Sequence, residues 1–489
     1  MPRRITLRLA SLALCLALAT PGAAQWTTPQ WNADAGLPSL ASSTSHAASN
    51  EEFKLGRAWM RQFRARAPIW QDPIAQDYIE SMVERLLPHS GLGGNRPLVT
   101  LVESRQLNAF AVPGGVIGVN AGLFAFADEE DELVSVLAHE LGHLSQRHYA
   151  RGQARAEQTQ IPAMAAMLAG MLIAASGGGD AGIGMAMGSQ AAFIQDQLAY
   201  SRRFEQEADR IGLQAMAEAG FDPHAMVRMF RAMQRMVSLQ GGNPPEFLLS
   251  HPVTESRISD SEDRARQLTL GRKRNDGPRY HLVRARALLV IHQRDPQQAA
   301  TRLKQDGAPQ QAMRYLDALI TARQGDTDSA LQTLDALARE LPDLAMLPAT
   351  AAQVAFEAGR YDEAIERSRR QLRLMPGYVP ARQLLGEALL QRNPEQAWRV
   401  LRELSEQRNE DPQVFTLLAE AAGRSEREGW GHLARGEHLQ LSGRIDDAIR
   451  QLDVAKRVAQ EEGDATAVSR IEQRRSDFID YRETMEKFQ

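Results

Sequence analysis

Residues 133–144, with the sequence LVSVLAHELGHL, combine the apolar spacing of a helix with an H-E-x-x-H motif. Apolar residues recur every three to four positions, as they do on one helix face, and the acidic run at 128–132 suits the positive end of that helix. His139 and His143 are four residues apart, so both imidazoles project from one face and can hold one metal ion. The stretch predicts a metal-binding helix.

Glu140 is the acidic residue of the motif and precedes His143 by three positions. It lies close to the metal-binding face without being forced onto the metal, so it can take a proton from water and pass it to a leaving amine. Chance copies of the motif mostly fall in loops or on polar surfaces, whereas this copy lies in an apolar helix. We therefore predict one Zn²⁺ per chain, with Glu140 as the general base.

A hydrolytic zinc site has three protein ligands and one open position, so a third ligand is needed. Glu205 and Glu207 both lie in the helical stretch 200–211, and Asp209 follows Glu205 by four residues on the same face. The pattern favours Glu205 as the ligand, with Asp209 orienting a ligand histidine. Glu207 as the ligand, or both glutamates as solvated acids, remains open on the pattern alone.

The N-terminus has the pattern of an exported protein. Three arginines within the first eight residues precede an apolar run at 9–19, which is shorter than the roughly 20 residues of a membrane-spanning helix. We expect a signal peptide at 1–24, a flexible linker at 25–50 and a location in the periplasm. Cys15 follows a leucine instead of a small residue, so we expect it to be removed with the signal peptide and not lipidated.

Composition places the rest of the chain among ordinary globular proteins. The 489 residues carry a formal net charge of -4 and are 43% hydrophobic, which gives no sign of a nucleic-acid-binding or disordered chain. Short strands are predicted at 98–103 and 109–119, forming a hairpin around Pro113-Gly114-Gly115. A metallopeptidase domain at 51–272, mainly α with a small sheet (α+β), is the expected fold.

The C-terminal region, 273–489, repeats itself. The period is 34 residues (364 − 330), and three pairs of residues show it: Ala330 and Ala364, Gly325 and Gly359, Pro342 and Pro376. This is the period of tetratricopeptide repeats, which stack because a single helix pair cannot bury its own apolar face. We predict an α-solenoid of four or five such repeats, with an insertion before Gly443.

The segment 161–193 is rich in Ala, Met, Leu and Gly. Its apolar part, 161–175, is too short to span a bilayer. A mobile hairpin over a substrate cleft, or peripheral membrane contact through 161–193, is one interpretation, and ordinary core packing is the other.

The sequences AHELGH at 138–143 and EQEAD at 205–209 together resemble the gluzincin metallopeptidases, the family of the type I CAAX prenyl endopeptidase and the HtpX heat-shock protease. In that family the Glu of an E-x-x-A-D segment is the third zinc ligand. The resemblance therefore implies that Glu205 is the ligand and that Asp209 contacts the ligands without binding the metal itself. This sequence lacks the membrane spans of those two proteases, which argues against them as functional models.

The signal peptide, the strand NAFAVPGG at 108–115 and the repeats resemble the periplasmic members of the family that carry a repeat tail. That resemblance implies protein clients: unfolded or stalled outer-membrane β-barrel proteins and the β-barrel assembly machinery, with a chaperone-like role beside cleavage. It also implies that His251 can occupy the open zinc position and keep the enzyme latent. In related zinc proteases, an edge strand like the one predicted at 109–112 pairs with an extended substrate.

Two residues and one rival hypothesis complete the prediction. His148 is five positions after His143, about 140° further round the helix, and is interpreted as structural or exposed. Arg257 is available to pair with Glu255 or to stabilise an oxyanion. The rival is a repeat-based binding scaffold with a structural zinc site; His251 as a fourth ligand favours it weakly, and Glu140 argues against it because a structural site needs no base.

Overall fold

The structure is a computed structural model that describes residues 46–93, 96–156, 201–239, 245–270 and 277–487. The predicted signal peptide at 1–24, the linker up to residue 45 and the segment 161–193 lie outside the described residues. Among the helices of the described residues, none combines the length and the apolarity that crossing a bilayer requires.

The region before the repeats is mainly helical, with one small sheet. Its elements are α1 (His46–Arg64), α2 (Pro73–Leu86), β1 (Leu98–Val102), β2 (Ala109–Val112), β3 (Val116–Asn120), α3 (Ala121–Phe126), α4 (Glu130–Ser145), α5 (described over 148–156), α6 (described over 201–219), α7 (His224–Leu239), α8 (Glu246–Ser250) and α9 (Glu255–Gln267).

The sheet of the described residues has three strands in the order β1-β3-β2. β3 pairs in parallel with β1 and antiparallel with β2, so β2 and β3 form the predicted hairpin. Gly114 in its turn has a φ of 83°, and a Cβ there would lie 2.2 Å from the Glu52 carbonyl oxygen of α1. Only glycine fits this combination of backbone conformation and close approach. The hairpin prediction is confirmed, and β2 lies at an edge of the sheet.

The motif helix α4 begins with a reciprocal capping box, in which the Glu129 side chain binds the backbone at Glu132 and the Glu132 side chain binds the backbone at Glu129. Two otherwise unsatisfied N–H groups are thereby paired. All residues from Leu133 to Gly142 are buried. The helix therefore runs through the core, and the buried polar residues of its motif need hydrogen-bond partners from the rest of the fold.

The repeat region consists of helices that each pack on the next: α10 (Arg279–Ile291), α11 (Pro296–Gln305), α12 (Gln310–Arg323), α13 (Thr327–Glu340), α14 (Met346–Glu357), α15 (Tyr361–Leu374), α16 (Val379–Leu390), α17 (Pro394–Gln407), α18 (Pro412–Gly423), α19 (Glu428–Leu441), α20 (Ile445–Glu461) and α21 (Ala465–Lys487).

Five helices of this region each carry one fully buried alanine at the repeat position: Ala299 in α11, Ala330 in α13, Ala364 in α15, Ala397 in α17 and Ala448 in α20. Each closes a helix pair, so the described residues contain five such pairs, the upper number expected. α18 is the predicted insertion before Gly443, and α21 follows the last pair. The predicted fold class, a small α+β peptidase region followed by an α-solenoid, is confirmed.

The two ends of the described chain are in contact. α1 packs against α19 and α21, where the Arg61 Nε donates a hydrogen bond of 2.7 Å to Gln440 Oε1, and its guanidinium lies 4.2 Å from the Tyr481 ring centroid. One hydrophobic cluster also joins α2, α4 and α7 to the first repeat helices. The division at 272/273 stays a prediction, since residues 271–276 lie outside the described residues.

Candidate metal centre

The α4 and α6 helices cross at unusually small residues. A Cβ on Gly142 of α4 would lie 2.8 Å from the Ala208 carbonyl oxygen of α6, and a Cβ on Gly212 would lie 3.1 Å from the His139 backbone nitrogen. Real Cβ atoms do not tolerate the first distance, so the crossing requires glycine at position 142. This close approach brings the Glu205 side chain of α6 to the two motif histidines.

Four side chains converge beside this crossing: His139, His143, Glu205 and His251, whose ligand atoms all lie within 4.8 Å of one another. The His139 Nε2 is 3.0 Å from the His143 Nε2. The Glu205 carboxylate lies 3.3 Å from the His143 Nε2 and 3.4 Å from the His139 Nε2. Two imidazole nitrogens and a carboxylate therefore face one point.

The donor set fits a divalent cation. The Nδ1 of His139 is 2.9 Å from Asp209 Oδ1 and donates to that carboxylate, so the lone pair of Nε2 faces His143 and Glu205. Burial disfavours a charge on both histidines: hydrogen bonds to Asp209 and Glu205 outweigh it at His139 and raise its pKa to about 9, whereas at His143 burial prevails and lowers the pKa to about 3. The fit to a metal ion therefore rests on the donor types, because imidazole nitrogens and a carboxylate are the ligands of hydrolytic zinc sites.

Asp209 is fixed from its other side by Arg257. The guanidinium donates two hydrogen bonds of 2.7 Å to the carboxylate, from Nε and from an Nη, and a third of 2.8 Å to the Pro252 carbonyl. It also lies 3.0 Å from Glu205 Oε2. Burial alone would raise the pKa of Asp209, but the pairing with Arg257 and the hydrogen bond to His139 lower it, so Asp209 is ionised.

Of the two roles considered for Arg257, the pairing with Glu255 is not the one that the structure shows. Glu255 instead accepts from Gln234 on α7, while Arg257 is 4% exposed and points inward. The reason is helix geometry: Thr254 caps α9, and Arg257 lies on the face of α9 that is buried against the site. Residue spacing alone gave no sign of this contact, because Arg257 and Asp209 are far apart in the sequence.

Glu140 lies at the same site with a free oxygen. Its side chain is buried, and within the described part of the chain its Oε1 has no hydrogen-bond partner. Burial raises the pKa of Glu140, while a backbone hydrogen bond from Ala111 of the edge strand β2 opposes that shift. A buried carboxylate with one uncommitted oxygen and an elevated pKa has the properties of a general base.

His251 reaches the site from the loop after α8. Its Nδ1 lies 3.1 Å from Glu205 Oε1 and 3.4 Å from the His139 Nε2, and its Nε2 lies 3.6 Å from Glu140 Oε1. The ring packs on Phe247 with centroids 4.8 Å apart. His251 therefore stands between the two histidines and the Glu140 carboxylate.

Two polar residues lie on the far side of His143: His148, which the sequence did not assign to the site, and Glu207, which the pattern left open as a ligand. His148 Nδ1 lies 2.9 Å from His143 Nδ1, and His148 Nε2 lies 3.1 Å from Glu207 Oε2. His148 is only 4% exposed. Glu207 also accepts from Arg151 at 2.9 Å, so Glu207 contacts the partner of a motif histidine, while Glu205 contacts the motif histidines themselves.

His148 is buried, as a structural residue is, but it lies beside His143 and not about 140° further round the helix, because α4 does not continue to it. α4 ends at Ser145, Arg147 adopts a left-handed φ of 52°, and the helical backbone resumes at 148. The Glu52 carboxylate of α1 holds that turn by accepting hydrogen bonds of 2.6 and 2.9 Å from the Arg147 guanidinium. A break of this kind redirects His148 toward His143, so the 140° expected of a continuous helix does not apply.

This combination of an H-E-x-x-H helix, a glutamate from a second helix and a buried base defines a metallopeptidase. The family model for peptidase family M48 matches residues 73–265, and a tetratricopeptide-repeat model matches residues 355–421. The chain is 30% identical over 426 residues to the beta-barrel assembly-enhancing protease of Escherichia coli (strain K12), covering 86% of each chain.

Two further relatives agree with this assignment. A putative beta-barrel assembly-enhancing protease of Vibrio cholerae is 35% identical over 302 residues, covering 60% of this chain and 61% of the relative. The mitochondrial metalloendopeptidase OMA1 of Schizosaccharomyces pombe is 28% identical over 204 residues, covering 41% of this chain and 56% of the relative. The chain belongs to peptidase family M48 and is a metalloprotease related to the beta-barrel assembly-enhancing proteases.

Proposed function

We propose that the chain is a periplasmic zinc metalloendopeptidase that degrades or assists misassembled outer-membrane β-barrel proteins. The observation that carries the proposal is the convergence of His139, His143 and Glu205 next to a buried Glu140 with a free oxygen. The name of the E. coli relative supports the client class, and the similarity covers 86% of both chains. The predicted signal peptide supports the compartment.

His139, His143 and Glu205 would hold the zinc ion, with Asp209 orienting His139. When bound, Zn²⁺ polarises the scissile carbonyl and lowers the pKa of water. Glu140 accepts the proton of the attacking water on Oε1 and delivers it to the leaving amine. Its buried position keeps that oxygen from bulk solvent, so the proton passes between water, carboxylate and amine.

The edge strand β2 provides a place for an extended client. Within the described residues, β2 pairs only with β3, so no other strand occupies its second edge. The Ala111 N–H of this strand contacts Glu140, and a client strand paired with β2 would therefore run past the base. Backbone pairing tolerates many sequences, which suits misfolded clients.

The repeats provide a second contact surface for clients or for the assembly machinery. A cavity of about 1250 Å³ lies between α1, α2 and β1 on one side and the repeat helices on the other. Its walls carry both charges and aromatic rings, including Arg57, Glu80, Trp398 and Trp430. None of the four converging ligand residues lines this cavity. Clients would therefore be held apart from the site of cleavage, which also allows a chaperone-like role without cleavage.

His251 would keep the enzyme latent. His251 would be a fourth protein ligand, and it would fill the position that water needs on a zinc ion. Activity then requires the loop after α8 to move. Phe247 packs on the His251 ring, and Arg257 binds the Pro252 carbonyl, so the loop is held at two points next to the site.

The test uses casein cleavage and zinc content of the full chain, with the exposed Tyr149→Ala as a control. Glu140→Gln keeps the shape of the side chain but removes the base, so cleavage should fall about 10²- to 10⁴-fold while zinc stays bound. His251→Ala should raise cleavage. Cleavage by Glu140→Gln at the wild-type rate would contradict the role of Glu140.

The second candidate is a repeat-based binding scaffold with a structural zinc site, and the position of His251 as a fourth donor favours it. A scaffold would bind zinc and unfolded outer-membrane protein in every variant and cleave in none. Enhanced cleavage by His251→Ala would exclude it, whereas zinc binding without cleavage in all variants would establish it.

A further inference from the structure

His143 has a polar partner on the side facing away from the converging ligands, as His139 does. For His139 that partner is Asp209, at 2.9 Å from Nδ1. For His143 it is His148, whose Nδ1 lies 2.9 Å from the His143 Nδ1. Each motif histidine thus presents Nε2 to the site and engages Nδ1 on the outside, but the second histidine does so through a neutral ring instead of a carboxylate.

The direction of the hydrogen bonds on the His143 side follows from Glu207. An ionised carboxylate only accepts, and Glu207 Oε2 receives the Arg151 Nη at 2.9 Å and the His148 Nε2 at 3.1 Å. The proton of a neutral His148 is therefore on Nε2, and its Nδ1 is an acceptor. His143 must then carry its proton on Nδ1, which leaves the Nε2 lone pair directed into the site.

We propose that His148 is a positioning residue, which, with Glu207 and Arg151 behind it, fixes the tautomer and orientation of His143 as a metal ligand. The inference rests on the proposed metal site. The ring is held in place by stacking on Phe204, with centroids 4.2 Å apart and planes 17° from parallel. The turn at Arg147, bound by Glu52, brings His148 back to His143.

Packing alone is the competing explanation for His148, and two amide variants separate it from positioning. His148→Asn places its Oδ1 where Nδ1 was, so it still accepts from His143 but no longer reaches Glu207. His148→Gln places its amide near the old Nε2, so it still reaches Glu207 but offers His143 no acceptor. Neither variant preserves the stacking ring, so a pure packing role would affect both alike.

The measurement is the zinc affinity of the metal-stripped full chain, by competition with a chromogenic chelator, with Tyr149→Ala as the control on the same helix. Outer partners of metal-binding histidines typically contribute 10- to 100-fold in affinity. We therefore expect His148→Gln and His148→Ala to bind Zn²⁺ about 10- to 100-fold more weakly, whereas His148→Asn retains most of the affinity. Relative to the wild type, the visible absorption bands of the Co²⁺-loaded chain should change in His148→Gln and His148→Ala and stay the same in the Tyr149→Ala control.

Thermal unfolding of the metal-free variants shows whether a change in zinc affinity is caused by a change in stability. Equal unfolding temperatures for His148→Asn and His148→Gln, with tighter zinc binding by His148→Asn, establish positioning, and tighter binding by His148→Gln would overturn it. Equal affinities in Asn and Gln, whether at the wild-type level or below it, would overturn the positioning role. If the wild-type chain binds no zinc, the proposed metal site fails; if it binds zinc and cleaves while His148→Gln keeps full affinity, only the positioning role fails.

Discussion

The α4–α6 crossing and the exposed positions of the repeat helices tolerate changes to very different degrees. At the crossing, a Cβ on Gly142 would meet backbone at 2.8 Å, whereas a Cβ on Gly423, at the end of α18, would meet no atom within 4 Å. The crossing also buries the Arg257–Asp209 ion pair, which is at most 4% exposed, whereas in the repeats Arg360 pairs with the largely exposed Asp328. The four converging side chains thus lie beside a crossing where two backbones approach closely and an ion pair is buried.

Arg257→Gln should give the largest loss of stability. It leaves the Asp209 carboxylate buried with His139 as its remaining partner, and removing one member of a buried ion pair costs about 3–5 kcal/mol of unfolding free energy. Urea unfolding of the metal-free chain measures the loss. Arg360→Gln is the matched control in the repeats, and its pair is exposed, so its unfolding midpoint should not change. Equal unfolding midpoints for the two variants would contradict the contrast between the buried and the exposed ion pair.

Gly142→Ala should have the next largest effect. Alanine favours a helix over glycine by about 1 kcal/mol, but its Cβ would press on the Ala208 backbone and force α4 and α6 apart. We expect a net destabilisation of about 1–3 kcal/mol, as for other overpacked cores, together with weaker zinc binding because Glu205 moves with α6. A variant that binds zinc as tightly as the wild type would show that the close crossing is not needed.

Gly423→Ala makes the matching change at a position with open space and should have the smallest effect. Gly423 is the last residue of α18, is exposed, and has open space at its Cβ position. Replacing it with alanine should stabilise the chain by up to about 1 kcal/mol, because the unfolded chain loses freedom and no contact is disturbed. Thermal unfolding measures this, and a lower midpoint would contradict it.

The sequence predicted those features that a local pattern encodes. The H-E-x-x-H spacing predicted the paired histidines on one helix, the glycines after Val112 predicted the hairpin, and the buried alanines at a 34-residue period predicted the repeats. Glu205 and His251 were chosen with help from family resemblance. Their location beside the histidines agrees with that choice, while their roles as ligands stay predictions.

The sequence did not predict contacts that depend on where helices end or on distant segments. His148 was misplaced because the left-handed turn at Arg147 depends on Glu52, 95 positions earlier. Arg257 and its partner Asp209 are 48 residues apart in the sequence, and Arg61 and its partner Gln440 are 379 residues apart. No periodicity in the local sequence encodes such distances, because they result from the packing of the whole chain.

The most direct test of the account is to remove the metal with a chelator and titrate Zn²⁺ back while casein cleavage by His251→Ala is followed. Cleavage should disappear on chelation and return in proportion to added Zn²⁺, with an end point at one equivalent per chain. In the same titration, the His251→Ala, Glu140→Gln double variant should bind one equivalent and recover no cleavage. Cleavage that persists in the metal-free chain, or that returns in the double variant, would contradict the account.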